Sequence, residues 1–288
     1  MRLNRMIWGF CMAQKSVVIV EVVFLILLFG CQLNFNEKPQ DKNNLVLNAL
    51  GFVSKENIYK TIEELQNFKT RFSWEKQEEV ANYLFKKFQE YDIPVEFDEY
   101  FFRGKKWKNV IATIHGKMNS DPSYMLIAHL DSISKQAEVS APGADDNASG
   151  CGAVLEIARV LKEVPLDATV KMGIFSNEEH GSAGSKHFAR KAREKDFNIK
   201  AVINLDIIGY NGPIVKTAYK ISEGSGLIGN IKLRLKTIGK HILKFLYPDG
   251  IVLIGGRPPN RGLVETVYTL AQNYSNLKVK STVGEDCG

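Results

Sequence analysis

The sequence is poor in cysteine, and the placement of its four cysteines leaves no disulfide framework to build a fold on. Cys11 and Cys31 belong to the apolar N-terminal region, Cys151 opens an apolar stretch as a small core residue does, and Cys287 has no obvious partner. A long hydrophobic run is also absent. The longest stretch near the N-terminus, residues 17–29, has thirteen residues and is interrupted by Glu21. That is too short for a helix crossing a bilayer, which needs about 20 residues. Nor is there a large charge excess: +6 over 288 residues does not imply a nucleic-acid partner, and none is expected. With 44% hydrophobic and 24% charged residues, the composition is that of a folded protein long enough for one large α/β domain.

What the N-terminus does contain is an export pattern. Arg2, Arg5 and Lys15 precede the apolar run, as in a signal peptide. Met6 and Met12 are alternative starts. The run ends in Leu28-Phe29-Gly30-Cys31, which resembles a bacterial lipoprotein box apart from the bulky Phe29. The expected organisation is a signal at 1–31, a polar tether at 32–44 and a single domain over 45–288. The expected location is a membrane-anchored lipoprotein, otherwise periplasmic or secreted; a plain cleaved signal or a short uncleaved anchor is the alternative.

Within the domain, Ser54 caps a helix reaching about residue 68, and Ser73 a second reaching about 91, with Val80, Leu84 and Phe88 on one face. Strands are expected over 95–101 and 109–114, joined by Arg103-Gly104-Lys105-Lys106 as a hairpin turn. Strand 125–128, helix 148–164, strand 170–175, helix 183–194 and strand 199–205 then alternate. That order predicts an α/β fold with a mostly parallel central sheet flanked by helices.

Four segments carry chemistry: Ala128-His129-Leu130-Asp131-Ser132, Gly143 to Gly150, Asn177-Glu178-Glu179-His180-Gly181, and Asn204-Leu205-Asp206. His129, Glu178 and Asp206 each follow a predicted strand, and Asp146 precedes a helix, so four loops converge on the ligand-binding edge of an open sheet. His129 offers an imidazole nitrogen to a metal, and Asp131 can hold the proton on the other nitrogen. Asp146 and Asp206 supply oxygens. Of the adjacent pair Glu178 and Glu179, one can ligate while its neighbour acts as general base. Two zinc ions held this way suit amide hydrolysis. Each segment alone is commonplace; their order and placement together argue for a site.

The run Ala141-Pro142-Gly143-Ala144-Asp145-Asp146-Asn147-Ala148-Ser149-Gly150 resembles that of the co-catalytic zinc aminopeptidases, the family of secreted bacterial leucyl aminopeptidases, with glutamate carboxypeptidases and glutaminyl cyclases as more distant members. The resemblance implies a zinc-dependent exopeptidase that removes N-terminal residues from peptides by a metal-activated water. It implies His129 and Asp206 on the first zinc, Asp146 bridging, Glu179 on the second, Asp131 behind His129, and Glu178 as the base. The doubled acid Asp145-Asp146 and the Glu178-Glu179 pair fit the peptidases better than the cyclases. The family pattern also has a final histidine in a Ser-Asp-His segment. Here Val283 to Gly288 looks like the approach to it, and His241 is a poor substitute. The expectation is a zinc-peptidase domain lacking its C-terminal elements, holding one zinc at most; its rival is a truncated, catalytically inactive family member.

A basic insertion is expected at about 213–250. Between residues 215 and 247 there are seven Lys/Arg against one acid, Glu223. Ile228, Ile231, Leu235, Ile238, Ile242 and Phe245 fall on one helical face. Such a helix, with a lipidated Cys31, could engage an anionic membrane surface; a helix packed on the domain with its lysines in solvent is the plainer reading.

Overall fold

The computed structural model describes residues 48–117, 123–209, 252–256 and 279–283, with Glu265 and Thr269. The expected leader and tether, the basic insertion with His241, and residues 284–288 lie outside the described residues. The chain divides into two compact units, Met1–Gly209 and Tyr210–Gly288.

In the first unit, helix α1 (Lys55–Gln66) begins where the Ser54 hydroxyl accepts from the Asn57 amide, and α2 (Trp74–Glu90) where the Ser73 hydroxyl accepts from the Lys76 amide. Each cap satisfies a backbone N–H that has no intrahelical partner, a contribution of about 1 kcal/mol. Strands β1 (Val95–Phe102) and β2 (Lys105–Ile114) form an antiparallel hairpin. Its turn is Arg103-Gly104 alone, both with positive φ, the geometry that matches strand twist. Lys105 and Lys106, expected in the turn, instead pair with Phe102 and Phe101.

Strand β3 (Ser123–His129) leads through a wide turn (Ala144–Ser149) into α3 (Gly150–Leu161). Then follow β4 (Thr169–Phe175), α4 (Ala183–Glu194) and β5 (Ile199–Asn204). Helix α3 starts two residues later than its sequence suggests, because Asp146 and Asn147 have non-helical backbone angles. The five strands lie in the order β1-β2-β4-β3-β5. Strands β4, β3 and β5 are mutually parallel, as expected, and β2 joins β4 antiparallel, so the sheet is mixed, with β2 alone reversed among its five strands. The physical reason is the tight hairpin: its two-residue turn fixes β1 and β2 as an antiparallel pair, which then extends the edge of the parallel set.

One face of the sheet is covered by α2 and α3, with α1 packed on α3 and on the turn before it. The other is covered by α4, where Ile111, Met125, Phe175, Phe188 and Ala192 form a buried cluster. Helix α3 is almost wholly buried and is tied to α1 through Glu156. That carboxylate is 1% exposed and accepts from the Ser54 amide (2.6 Å), Asn57 Nδ2 (3.0 Å), Arg159 Nε (2.9 Å) and Arg159 Nη2 (2.7 Å). In the second unit, β6 (Val252–Gly256) and β7 (Val279–Val283) pair in parallel. No described helix is long and apolar enough to cross a membrane.

Candidate metal centre

Because β4 and β5 both run parallel to β3 on either side of it, the three strands end at one edge. His129 is the last residue of β3, Asp206 lies two residues beyond β5, and Asp146 lies in the turn before α3. Their ligand atoms come within 4.8 Å of one another. His129 Nε2 is 3.1 Å from Asp146 Oδ1 and 3.6 Å from Asp206 Oδ1. Tetrahedral coordination with bonds of roughly 2.0–2.2 Å needs donor atoms about 3.3–3.5 Å apart, so these separations bracket what a small divalent ion requires. The imidazole is buried, whereas the Asp146 and Asp206 side chains are 46% and 36% exposed, which leaves the centre open on one side.

The turn carrying Asp146 has no freedom to be built from other residues. Gly143 has φ +46°, and a Cβ there would lie 2.2 Å from the Asp146 carbonyl oxygen. Asp146 is followed by a cis peptide bond to Asn147. The buried Asn147 side chain donates from Nδ2 to the Leu205 carbonyl (2.9 Å) and accepts at Oδ1 from the Gly150 amide (3.0 Å). Asp145 accepts from the Gly209 amide (2.7 Å) and the Ser149 hydroxyl (3.1 Å). Both side chains thus fasten the segment around Asp206 to the turn around Asp146. The first acid of the pair is a fastener, and the second is free to ligate.

Asp131 divides its work differently from the sequence expectation. His129 Nδ1 lies 3.2 Å from the backbone carbonyl of Asp131 and 3.5 Å from its carboxylate oxygen Oδ1. The carboxylate, fully buried, also accepts from the amides of Glu178 and Glu179, both at 3.0 Å. One side chain therefore backs the histidine and holds the loop bearing both glutamates. That loop rests on a buried polar chain. Asn109 Oδ1 accepts from Ser176 N (3.0 Å) and Oγ (3.1 Å), Tyr100 OH shares a hydrogen bond with Ser176 Oγ (2.9 Å), and Asn177 Nδ2 donates to Tyr100 OH (2.8 Å).

The glutamates stand outside the three-residue cluster but face its charge. Burial is the main cause raising the Glu178 pKa above the usual carboxylate value, and Asp131, Asp206 and Asp146 add to it. Glu179 is pushed up to about 7, by burial first and by Asp146 next. Glu179 Oε1 is buried with no hydrogen-bond partner among the described residues, the condition of an oxygen that awaits a cation. Burial opposes protonation of His129, yet Asp131, Asp146 and Asp206 outweigh it and raise its pKa. The donor set of one imidazole and several carboxylates fits a divalent metal ion.

Arg71, which no motif in the sequence marks, lies against the loops of the centre. It is 1% exposed, and its guanidinium donates to backbone carbonyls: Nε to Leu130 (2.8 Å), Nη1 to Pro142 (2.6 Å) and Leu65 (3.4 Å), and Nη2 to Gly143 (2.9 Å). Burial lowers its pKa from the ordinary arginine value, and the Asp131 and Asp146 carboxylates oppose that shift.

Comparison with known proteins gives this geometry a context. Residues 109–251 match the model of peptidase family M28. A probable zinc metalloprotease of Pyrenophora teres f. teres is 29% identical over 205 residues, 62% of this chain and 43% of that protein. A probable leucine aminopeptidase of Trichophyton verrucosum is 31% identical over 189 residues, 59% of this chain and 49% of that protein. The aminopeptidase YwaD of Bacillus subtilis is 36% identical over 110 residues, 38% of this chain and 23% of that protein. The matches span less than half the length of these relatives. The crystal structures of LapA and LapB from Legionella pneumophila align with TM-scores of 0.63 each, at 20% and 21% identity. They cover 88% and 90% of this chain and 62% and 60% of theirs, and they share its fold.

Proposed function

We propose, from the match of residues 109–251 to the model of peptidase family M28, that this chain is a zinc-dependent aminopeptidase acting on peptides. The observation that carries this reading is His129 Nε2 flanked by Asp146 and Asp206 oxygens at 3.1 and 3.6 Å, on a sheet edge shared with Glu178 and Glu179. The names of relatives, a zinc metalloprotease and two aminopeptidases, supply the metal and the reaction class.

His129, Asp146 and Asp206 would hold zinc, and Glu179 with Asp146 would face a second ion. Bound zinc supplies Lewis acidity toward a peptide carbonyl and toward water. Glu178 takes the proton of the attacking water and passes it to the departing amine. A carboxylate at this position can accept a proton and return it. Asp131 fixes the Glu178 amide and the His129 ring from one buried position. The decisive experiment is zinc analysis of the purified chain with an aminoacyl-anilide assay before and after chelation. Zinc-dependent release of the anilide is expected. Bound zinc without turnover would leave the inactive-member reading standing; no zinc would refute the metal centre.

We also propose that the chain is exported and anchored through an acylated Cys31. Support comes from the leader and the Leu28-Phe29-Gly30-Cys31 sequence alone. Cys31→Ser should move the protein from the membrane to the soluble fraction, and equal retention of the mutant would assign anchoring to another segment.

A further inference from the structure

We infer that Arg71 is a positioning residue for the metal centre: its buried guanidinium sets the separation of the loops carrying His129 and Asp146, and so the affinity for the ion. The inference rests on the zinc reading above. Leu130, whose carbonyl accepts from Nε at 2.8 Å, lies between His129 and Asp131. Pro142 and Gly143, whose carbonyls accept from Nη1 (2.6 Å) and Nη2 (2.9 Å), open the turn that carries Asp146. The Gly143 carbonyl also accepts from the Ala148 amide (3.1 Å), closing that turn around Asp146. One planar group therefore bonds to both loops at once.

A second tie runs between the same loops from the same residue. The Arg71 amide donates to Ser132 Oγ (3.2 Å), and Ser132 Oγ donates to the Ala141 carbonyl (2.6 Å). Glycine at 143 is part of the fit, since a Cβ there would lie 2.7 Å from Nη2. Only arginine offers five donors in a rigid fork able to join carbonyls from separate segments.

Charge and geometry act in opposite directions here. A guanidinium buried without a carboxylate partner is costly, and its positive charge repels a cation bound nearby. If charge were all that Arg71 contributed, removing it would tighten metal binding. The contribution assigned to the fork is that it holds His129 and Asp146 at ligand spacing. Arg71→Lys separates the two contributions, because it keeps the charge and loses the fork; Arg71→Met loses both.

The test is zinc affinity by competition with a chromophoric chelator, measured on the full chain beside its melting temperature. Glu156→Gln serves as the control, since Glu156 is an equally buried charge that fastens helices instead of ligand loops. Arg71→Lys should raise the zinc Kd roughly 10- to 100-fold, the range seen when support behind a metal ligand is lost. Arg71→Met should raise it as well, and Glu156→Gln should leave it at the wild-type value despite a lower melting temperature. A folded Arg71→Lys with wild-type Kd overturns the inference. So does a Kd that rises as much in Glu156→Gln, which would mean that affinity follows stability. Failure of both Arg71 variants to fold in the presence of zinc overturns it too, by assigning the residue to the fold alone. A wild-type chain that binds no zinc is a different result and refutes the metal reading itself.

Discussion

Buried or half-buried carboxylates occur in two settings in the first unit, and they are treated in opposite ways. In the scaffold, Glu156 receives four hydrogen bonds, and Asp98 is held by Asn109 Nδ2 (3.0 Å) and Lys191 Nζ (2.6 Å). At the sheet edge, the only described donor facing Asp146 and Asp206 is the His129 imidazole, and Glu179 Oε1 has none. Paired acids hold elements together, whereas unpaired acids crowded on loops repel one another and lower stability until something positive arrives. Poor satisfaction, more than residue type, separates the centre from the scaffold.

That contrast can be broken by mutation. The largest effect is expected from Glu178→Ala, which should lower kcat by about 10²- to 10⁴-fold with zinc content unchanged. Near-normal turnover would show that the proton goes elsewhere. Glu156→Gln should lower stability by about 1.5–3 kcal/mol, since the Ser54 amide, Asn57 and the partly exposed Arg159 lose a charged acceptor. Chemical denaturation measures it, and a shift under 1 kcal/mol would contradict the role given to that clamp. Asp131→Asn sharpens the comparison, because Asp131 belongs to both settings. Its new amide group must point a donor at the Glu178 or Glu179 amide, and activity should fall roughly 10- to 100-fold. The smallest effect is the most diagnostic. In metal-free protein, Asp146→Asn should change the melting temperature little, because relief of carboxylate repulsion offsets the lost contact with His129 Nε2. A clear loss of stability would place Asp146 with the scaffold acids.

Much of this was legible in the sequence, for local reasons. Ser54 and Ser73 cap the helices they announce, and α4 spans the expected residues, because caps and periodicity act within a few positions. The strand ends put His129, Glu178 and Asp206 on one edge, as the alternating order of elements required. What escaped depends on contacts between distant positions. The antiparallel join of β2 to β4 links residues about sixty apart, and no local pattern states it. Arg71 lies in an unremarkable Thr70-Arg71-Phe72 segment, and its partners at Leu130 and Gly143 become visible only when the loops meet. Asn147 sat inside the quoted motif, but its reach to Leu205 did not follow from spacing. Asp131 was identified with the histidine, while its hold on the two glutamate amides needed the fold.

Cys151 offers a way to watch the centre breathe. Its thiol is completely buried, donates to the His129 carbonyl (3.1 Å), and is pushed up to about 11 by burial. A thiol in that state does not react with alkylating reagents, because neither the thiolate nor access is available. Labelling at Cys151, read by peptide mapping, therefore counts the moments when α3 parts from the end of β3. The rate is a clock for local opening directly behind the ligand histidine. Zinc should slow that clock if the ion clasps the three loops together.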